Sequence, residues 1–247
     1  MGDGIPLSVH RYSYPDAKAA AEGCAHHALG VLENALAAKE RVTFAVSGGS
    51  TSKLFFEALV AARFNWDRVH LLWADERAVS PAHPRSNYGL AEEHLILPAR
   101  ILRSRTHRIF GEFEPRRAAV NYTEEIRELF DLEPGEMPHI DLLHLGMGPD
   151  GHTASLFPGD PLIADREGIA AAVCLEKDRE WRVTLLPGVL LAAKHTVILA
   201  AGAEKAPVLH AVFEEDYQPE KYPVQIIAHN GRSVTWFLDE AALSQTG

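Results

Sequence analysis

Cysteine is scarce in this chain: Cys24 and Cys174 are the only two in 247 residues, far apart and without metal-type spacing. That argues against a disulfide framework and suits free thiols in a reducing cytosol. Positive charge is also short, with 24 Lys and Arg against 34 Asp and Glu and a formal net charge of −10. Such a balance disfavours nucleic acid or an anionic membrane as a bulk partner. A small anionic ligand would need a local cluster of Arg and Lys set against the overall field. Long apolar runs are missing too. Nothing approaches the ~18 uninterrupted apolar residues of a membrane helix; residues 190–203 come nearest, and Lys194 and His195 interrupt them. Residues 1–14 carry no apolar core of the signal-peptide kind, so the expectation is a soluble, cytoplasmic protein, monomeric or a small homo-oligomer. There is no internal repeat, no Pro/Gly/Ser linker, no Walker loop, no Gly-x-Gly-x-x-Gly and no Gly-x-Ser-x-Gly elbow. The last absence argues against an α/β-hydrolase serine nucleophile.

What is present is ample apolar material, 47% of residues, with 23% charged, enough to bury a full core. Apolar spacing predicts helices over 16–39, 52–62, 86–97 and 116–130, a short one from Pro187, and one after Gly202 to about 214. In the fourth, Val120, Ile126 and Leu129 share one face. Short runs at 41–46, 69–73, 107–110, 140–145, 169–175, 182–186, 195–201, 224–228 and 233–238 read as strands. Their alternation with helices implies a parallel sheet covered on both faces, built as a single α/β domain over residues 1–247.

Two glycine-bearing loops follow predicted strands. Ser47-Gly48-Gly49-Ser50-Thr51 joins a strand to a helix, where backbone N–H groups and hydroxyls form a phosphate cradle; the same residues also read as a tight turn with an N-cap. Gly146-Met147-Gly148-Pro149-Asp150-Gly151-His152 follows the run at 140–145. An imidazole titrates near neutrality, and a carboxylate two residues away can fix its tautomer and raise its basicity. The turn reads equally as an acid–base pair or as a connection carrying a surface His. Asp75-Glu76-Arg77 ends the 69–73 strand; Arg77 could clamp an anion through its planar fork, while Glu76 reads as a solvated charge. Asn87 and Tyr88 read as capping and packing residues. Arg182 and Lys205 gain weight only if the fold brings them to the first loop. His139, His144 and His152 match no metal-ligand spacing, and Ser155 has nothing to mark it as a nucleophile.

Ser47–Thr51, Asp75–Arg77 with Ser86-Asn87-Tyr88, and the run from Gly146 through Asp150-Gly151-His152-Thr153-Ala154-Ser155-Leu156-Phe157-Pro158 together resemble the glucosamine-6-phosphate deaminase/6-phosphogluconolactonase family, on its lactonase side. The sister deaminases usually continue the central motif with an Ala-Phe-Asn-Glu-Pro segment. Here Ser155-Leu156-Phe157-Pro158 stands instead, without the Glu. Two positions depart from the lactonase pattern: Ser52, where Pro is common, and Arg85, where an acidic residue is common. The resemblance implies a Rossmann-like parallel α/β sheet of the deaminase and ribose-isomerase type, needing no metal or organic cofactor. It also implies hydrolysis of 6-phosphoglucono-δ-lactone. His152 would be the general base, oriented by Asp150. Asp75 would position sugar hydroxyls, and Arg77 or donors near the turn would stabilise the oxyanion. Gly48, Gly49, Ser50, Thr51, Arg182 and Lys205 would hold the 6-phosphate. Two readings compete: an aldose–ketose isomerase or deaminase acting on sugar phosphates, the deaminase disfavoured by the missing Glu, and a non-catalytic sugar-phosphate sensor, which leaves Asp150 and His152 without a task.

Overall fold

The computed structural model describes residues 10–175 and 180–246; residues 1–9 of the 1–14 stretch, read above as lacking a signal-peptide core, lie outside them. Among the described residues there are ten strands: β1 (His10–Tyr14), β2 (Val42–Val46), β3 (Val69–Trp73), β4 (Asp75–Arg77), β5 (Thr106–His107), β6 (Leu142–Leu145), β7 (Ala170–Leu175), β8 (Glu180–Leu185), β9 (His195–Ala200) and β10 (Val234–Asp239). The α-helices are α1 (Ala17–Ala38), α2 (Ser50–Ala61), α3 (Asn87–Ala91), α4 (Pro115–Phe130), α5 (Pro187–Ala192), α6 (Ala206–Glu214) and α7 (Val224–Asn230). Seven strands make one sheet in the order β1-β10-β9-β6-β2-β3-β5, every pair parallel. β2, β3, β6 and β10 are buried at every position, the pattern of strands covered on both faces.

The helices that flank the sheet are built by recognisable local devices. Asp16 caps α1, its side chain accepting from the Ala19 N–H at 2.8 Å. The buried stripe Ala20, Ala21, Cys24, Ala25 and Ala28 is made of small side chains, so the helix lies close to the sheet and the Cys24 thiol is sealed in. In α4, Glu114 accepts from the N–H groups of Arg116 and Arg117, and Pro115 occupies the first turn. This helix buries Ala118, Ala119, Tyr122 and Ile126. Val120, expected on the inner face, is 56% exposed instead, because it lies on the far side of that stripe.

Four further expectations are corrected. Residues 224–228 are helix α7, not a strand. All five are buried, so the run has no alternation to mark its period, and Pro223 precedes its first turn. The strand expected at 107–110 shrinks to Thr106–His107, and the helix expected over 86–97 is α3 continued by a π-helical turn at Glu92–Ile96. The runs at 169–175 and 182–186 form no part of the parallel sheet. They are a β7–β8 hairpin that joins β4 in a separate three-stranded antiparallel sheet, β4-β8-β7.

From β2 the chain proceeds to β3 and β5 on one side, and from β6 to β9 and β10 on the other. The order therefore reverses between β2 and β6, where an open α/β sheet leaves a crevice beyond the carboxyl ends of its strands. Both glycine-bearing loops leave their strands at that crevice.

Candidate active site

A cavity of about 180 Å³ occupies the crevice. Its lining includes Gly48, Gly49, Ser50 and Thr51 from the β2–α2 loop, Asp75 and Arg77 from β4, His152, Arg182 from β8 and Lys205. Asp150 reaches the cavity only through His152. Arg77, Arg182 and Lys205 come from distant parts of the chain, so the fold does assemble a cationic cluster in an acidic protein.

On the β2 side, α2 starts at Ser50 rather than at residue 52, after Gly49 at φ 121°. No side chain caps this helix, so its first N–H groups and positive dipole end point into the cavity, as at anion-binding helix starts. Ser52 lies in this first turn, where an N–H has no intrahelical partner. A Pro would be equally at home there, and the departure leaves the helix start intact.

On the β6 side, the Asp150–His152 turn is drawn tight by Gly148 N–H to His152 C=O at 2.8 Å and Gly151 N–H to Gly148 C=O at 3.0 Å. A Cβ at Gly148 would run into His152 Nδ1 and Asp150 Oδ1; only glycine lets the acid–base pair fold back over the backbone. Asp150 Oδ1 accepts from His152 Nδ1 at 2.6 Å and from the His152 N–H at 3.2 Å. Burial opposes the charge on Asp150, but the hydrogen bonds from His152 outweigh it and hold the carboxyl below its ordinary value. With Nδ1–H donating to the carboxylate, Nε2 is the basic nitrogen of the ring. The imidazole packs on Phe157, ring centroids 4.4 Å apart. The Arg182 guanidinium lies over the same Phe157 ring at 5.2 Å.

The cations are individually tethered. Arg77 donates to the Arg85 carbonyl at 2.7 Å. Arg182 pairs with Glu180 at 3.2 Å, and Arg85 takes the other oxygen of Glu180 at 2.6 Å. Arg85 thus holds the partner of a cavity arginine, which gives its departure from the family pattern a physical content. An acidic side chain there would repel Glu180. Burial pushes the Lys205 ammonium below its ordinary value, with Glu204 and Asp150 pulling the other way.

Glu76 is not the solvated charge that the local sequence suggests. It is 2% exposed and accepts from the N–H groups of Arg77, Asn87 and Tyr88 and from the Ser86 hydroxyl, all at 2.7–2.9 Å. Ser86 itself caps α3 through the Gly89 N–H. The carboxylate therefore sits at the start of α3 and pins that helix beside β4. Burial pushes its carboxyl up despite these bonds. Asn87 and Ser155 were also under-read: both are buried and both donate to Asp75. Among the described residues no group of three or more His, Cys, Asp or Glu is arranged to hold a metal ion, and no helix is long and apolar enough to cross a membrane.

Comparison with known proteins bears on this geometry. Residues 15–236 match the model of the family described as glucosamine-6-phosphate isomerases/6-phosphogluconolactonase. The chain belongs to that family. The matched span contains both loops and every residue of the cavity named above. A 6-phosphogluconolactonase of Nostoc sp. is 36% identical over 212 residues, covering 85% of this chain and 87% of the relative. The Homo sapiens 6-phosphogluconolactonase is 37% identical over 211 residues, covering 83% and 81%. Among solved structures, the 6-phosphogluconolactonase of Trypanosoma brucei superposes with a TM-score of 0.87 at 22% identity, covering 98% of this chain and all of that one. This last likeness establishes the fold alone. Family membership accounts for the parallel sheet and its crevice, and the antiparallel β4-β8-β7 sheet is the element that delivers Asp75, Arg77 and Arg182 to it.

Proposed function

We propose that this protein hydrolyses 6-phosphoglucono-δ-lactone to 6-phosphogluconate, the lactone-opening step of the oxidative pentose phosphate pathway. The reading treats residues 1–247 as one domain, supported by a hydrophobic cluster that runs from Ala20 to Ala242. The observation that carries it is His152, hydrogen-bonded to Asp150, lining a cavity that also holds three cations and an uncapped helix start. The relatives named above at 36–37% identity are 6-phosphogluconolactonases.

In this reading the 6-phosphate is held by the Gly48–Thr51 loop, Arg182 and Lys205. His152 Nε2 takes a proton from water as the oxygen attacks the lactone carbonyl. Asp150 keeps the imidazole in the required tautomer and balances the imidazolium charge. Arg77 or backbone N–H groups near the turn stabilise the oxyanion. The tetrahedral intermediate collapses by breaking the bond from the carbonyl carbon to the ring oxygen, which receives the proton from His152. No covalent enzyme intermediate is needed, because a lactone is already activated. General-base catalysis contributes ~10²–10⁴-fold. The product acid ionises and releases one proton per turnover.

The test is the rate of acid release from freshly generated lactone, corrected for spontaneous hydrolysis, with wild type and His152→Ala side by side. Fast wild-type hydrolysis with kcat reduced by ~10²–10⁴-fold in the variant is expected. A wild type no faster than buffer would remove the lactonase reading, and an unchanged kcat in the variant would remove His152 as base.

A further inference from the structure

Asp75 is a carboxylate among cations, yet it makes no ion pair among the described residues. Its Oδ2 accepts from the Ser155 hydroxyl at 2.7 Å, and its Oδ1 from Asn87 Nδ2 at 3.1 Å. Asn87 Nδ2 also donates to the Asp75 carbonyl at 2.8 Å. The donors come from two separate elements, α3 and the turn that carries His152. All three side chains are almost wholly buried, with Ser155 at 0% and Asn87 at 2% exposure. Two directional bonds on the two oxygens leave the carboxylate no freedom to rotate.

The network extends under the first loop. Asn87 Oδ1 is buried and has no partner, and a Cβ on Gly48 would collide with it. Gly48 is therefore the residue that makes room for the carboxamide that holds Asp75. At the other end, the Ser155 N–H donates to Thr184 Oγ1 at 3.1 Å, and Ala154 between His152 and Ser155 has φ 49°, a conformation that a non-glycine residue adopts only when its surroundings impose it. The turn is shaped so that His152 faces the cavity while Ser155 reaches down to Asp75.

We propose that Ser155 and Asn87 are positioning residues that clamp Asp75 so that it selects the polyhydroxylated carbon chain of the substrate over a bare phosphate. This rests on the lactonase reading for the identity of the ligand. A fixed carboxylate accepts hydrogen bonds from sugar hydroxyls through its remaining lone pairs. It also repels a phosphate group. The anion is thereby confined to the α2 end of the cavity, and the sugar lies across Asp75 with its carbonyl end toward His152.

The experiment is a calorimetric titration of the intact protein with inorganic phosphate and with 6-phosphogluconate, paired with kcat and KM on the lactone. The variants are Ser155→Ala, Ser155→Thr and the isosteric Asn87→Asp, which turns a donor into a second carboxylate oxygen. Ser155→Ala is expected to weaken 6-phosphogluconate by roughly tenfold or more, the scale of one hydrogen bond to a charged group. Phosphate affinity should stay within about twofold, and kcat should fall along with a rise in KM. Ser155→Thr, which keeps the hydroxyl, restores the difference between the two ligands. If Ser155→Ala does not fold, Asn87→Asp carries the same test. Equal weakening of both ligands, or of neither, overturns the proposal, as does a wild type that binds 6-phosphogluconate no better than phosphate. A wild type that shows the selective binding without turning over lactone would overturn the reaction and leave the clamp standing.

Discussion

Replacing Asp150 by Asn changes one oxygen to an NH₂ group, and the structure dictates which way the amide must face. His152 presents two donors, its backbone N–H and its Nδ1–H, to the same atom, Asp150 Oδ1. An amide turned with NH₂ toward them would oppose two donors with a third. The Asn oxygen therefore stays at the Oδ1 position and the ring keeps its proton on Nδ1. What is lost is the charge of the acceptor. Hydrogen bonds to charged groups contribute about 1.5–3 kcal/mol against about 0.5–1.5 for neutral ones, a difference of about 1–2 kcal/mol. At 1.36 kcal/mol per factor of ten, kcat should fall by roughly 5–30-fold, with KM within about twofold. The assay is acid release under the conditions used for His152→Ala. A fall as deep as that of His152→Ala would refute the reasoning, because it would mean an inverted tautomer or a direct chemical role for Asp150. An unchanged kcat would refute it from the other side. Asp150 is about half exposed, so the substitution should leave thermal stability intact, and circular dichroism melting checks this.

Two other outcomes follow from the same geometry. Lys205→Ala should raise KM for the phosphorylated lactone by about tenfold or more while kcat changes much less, since a cation removed from an anion subsite takes away binding rather than chemistry; an unaltered KM in steady-state kinetics would exclude Lys205 from that subsite. His144, fully buried on β6 against Phe55 at 4.2 Å, has its pKa pushed down to about 3 by burial, against about 6.5 in the unfolded chain. Its contribution to stability is therefore complete above pH 6.5 and is lost as pH falls toward 3, because the unfolded state alone takes up the proton. Between pH 6.5 and 5 that loss is about 1.6 kcal/mol, so His144→Phe should gain roughly 3–6 °C in Tm relative to wild type over the interval. Parallel Tm curves would refute it.

The loops were legible because their signals are local. Glycines, hydroxyl residues and an Asp two residues before a His are readable wherever a buried apolar run ends, and Ser47–Thr51 and Gly146–His152 lie at the crevice as that reading implies. The β4-β8-β7 sheet was not legible, because its first strand is three charged residues whose partner lies about a hundred positions later. Pairing of that range leaves no local period. The bonds to Asp75 were hidden likewise, since Ser155 lies 80 positions away and Asn87 lies 12 away beyond a loop. Glu76 was misread for a related reason: a charge looks solvated until the helix start that it serves is placed next to it. Residues 224–228 failed differently, since a short, mostly apolar run is compatible with a buried strand or a helix buried all round. Gln225, which donates to the Ala211 and Asp216 carbonyls, is the side chain that ties that helix down.

Arg77 and Arg182 stand directly opposite each other across β4 and β8. Like charges at facing antiparallel positions push their strands apart; Arg182 is paired with Glu180, and Arg77 donates to the Arg85 carbonyl. The small sheet that delivers Asp75, Arg77 and Arg182 to the cavity thus carries an unfavourable charge pairing of its own. In the proposed function the 6-phosphate at Arg182 and the oxyanion at Arg77 set negative charge beside both guanidinium groups, so a bound substrate offsets the repulsion between the two strands that carry them.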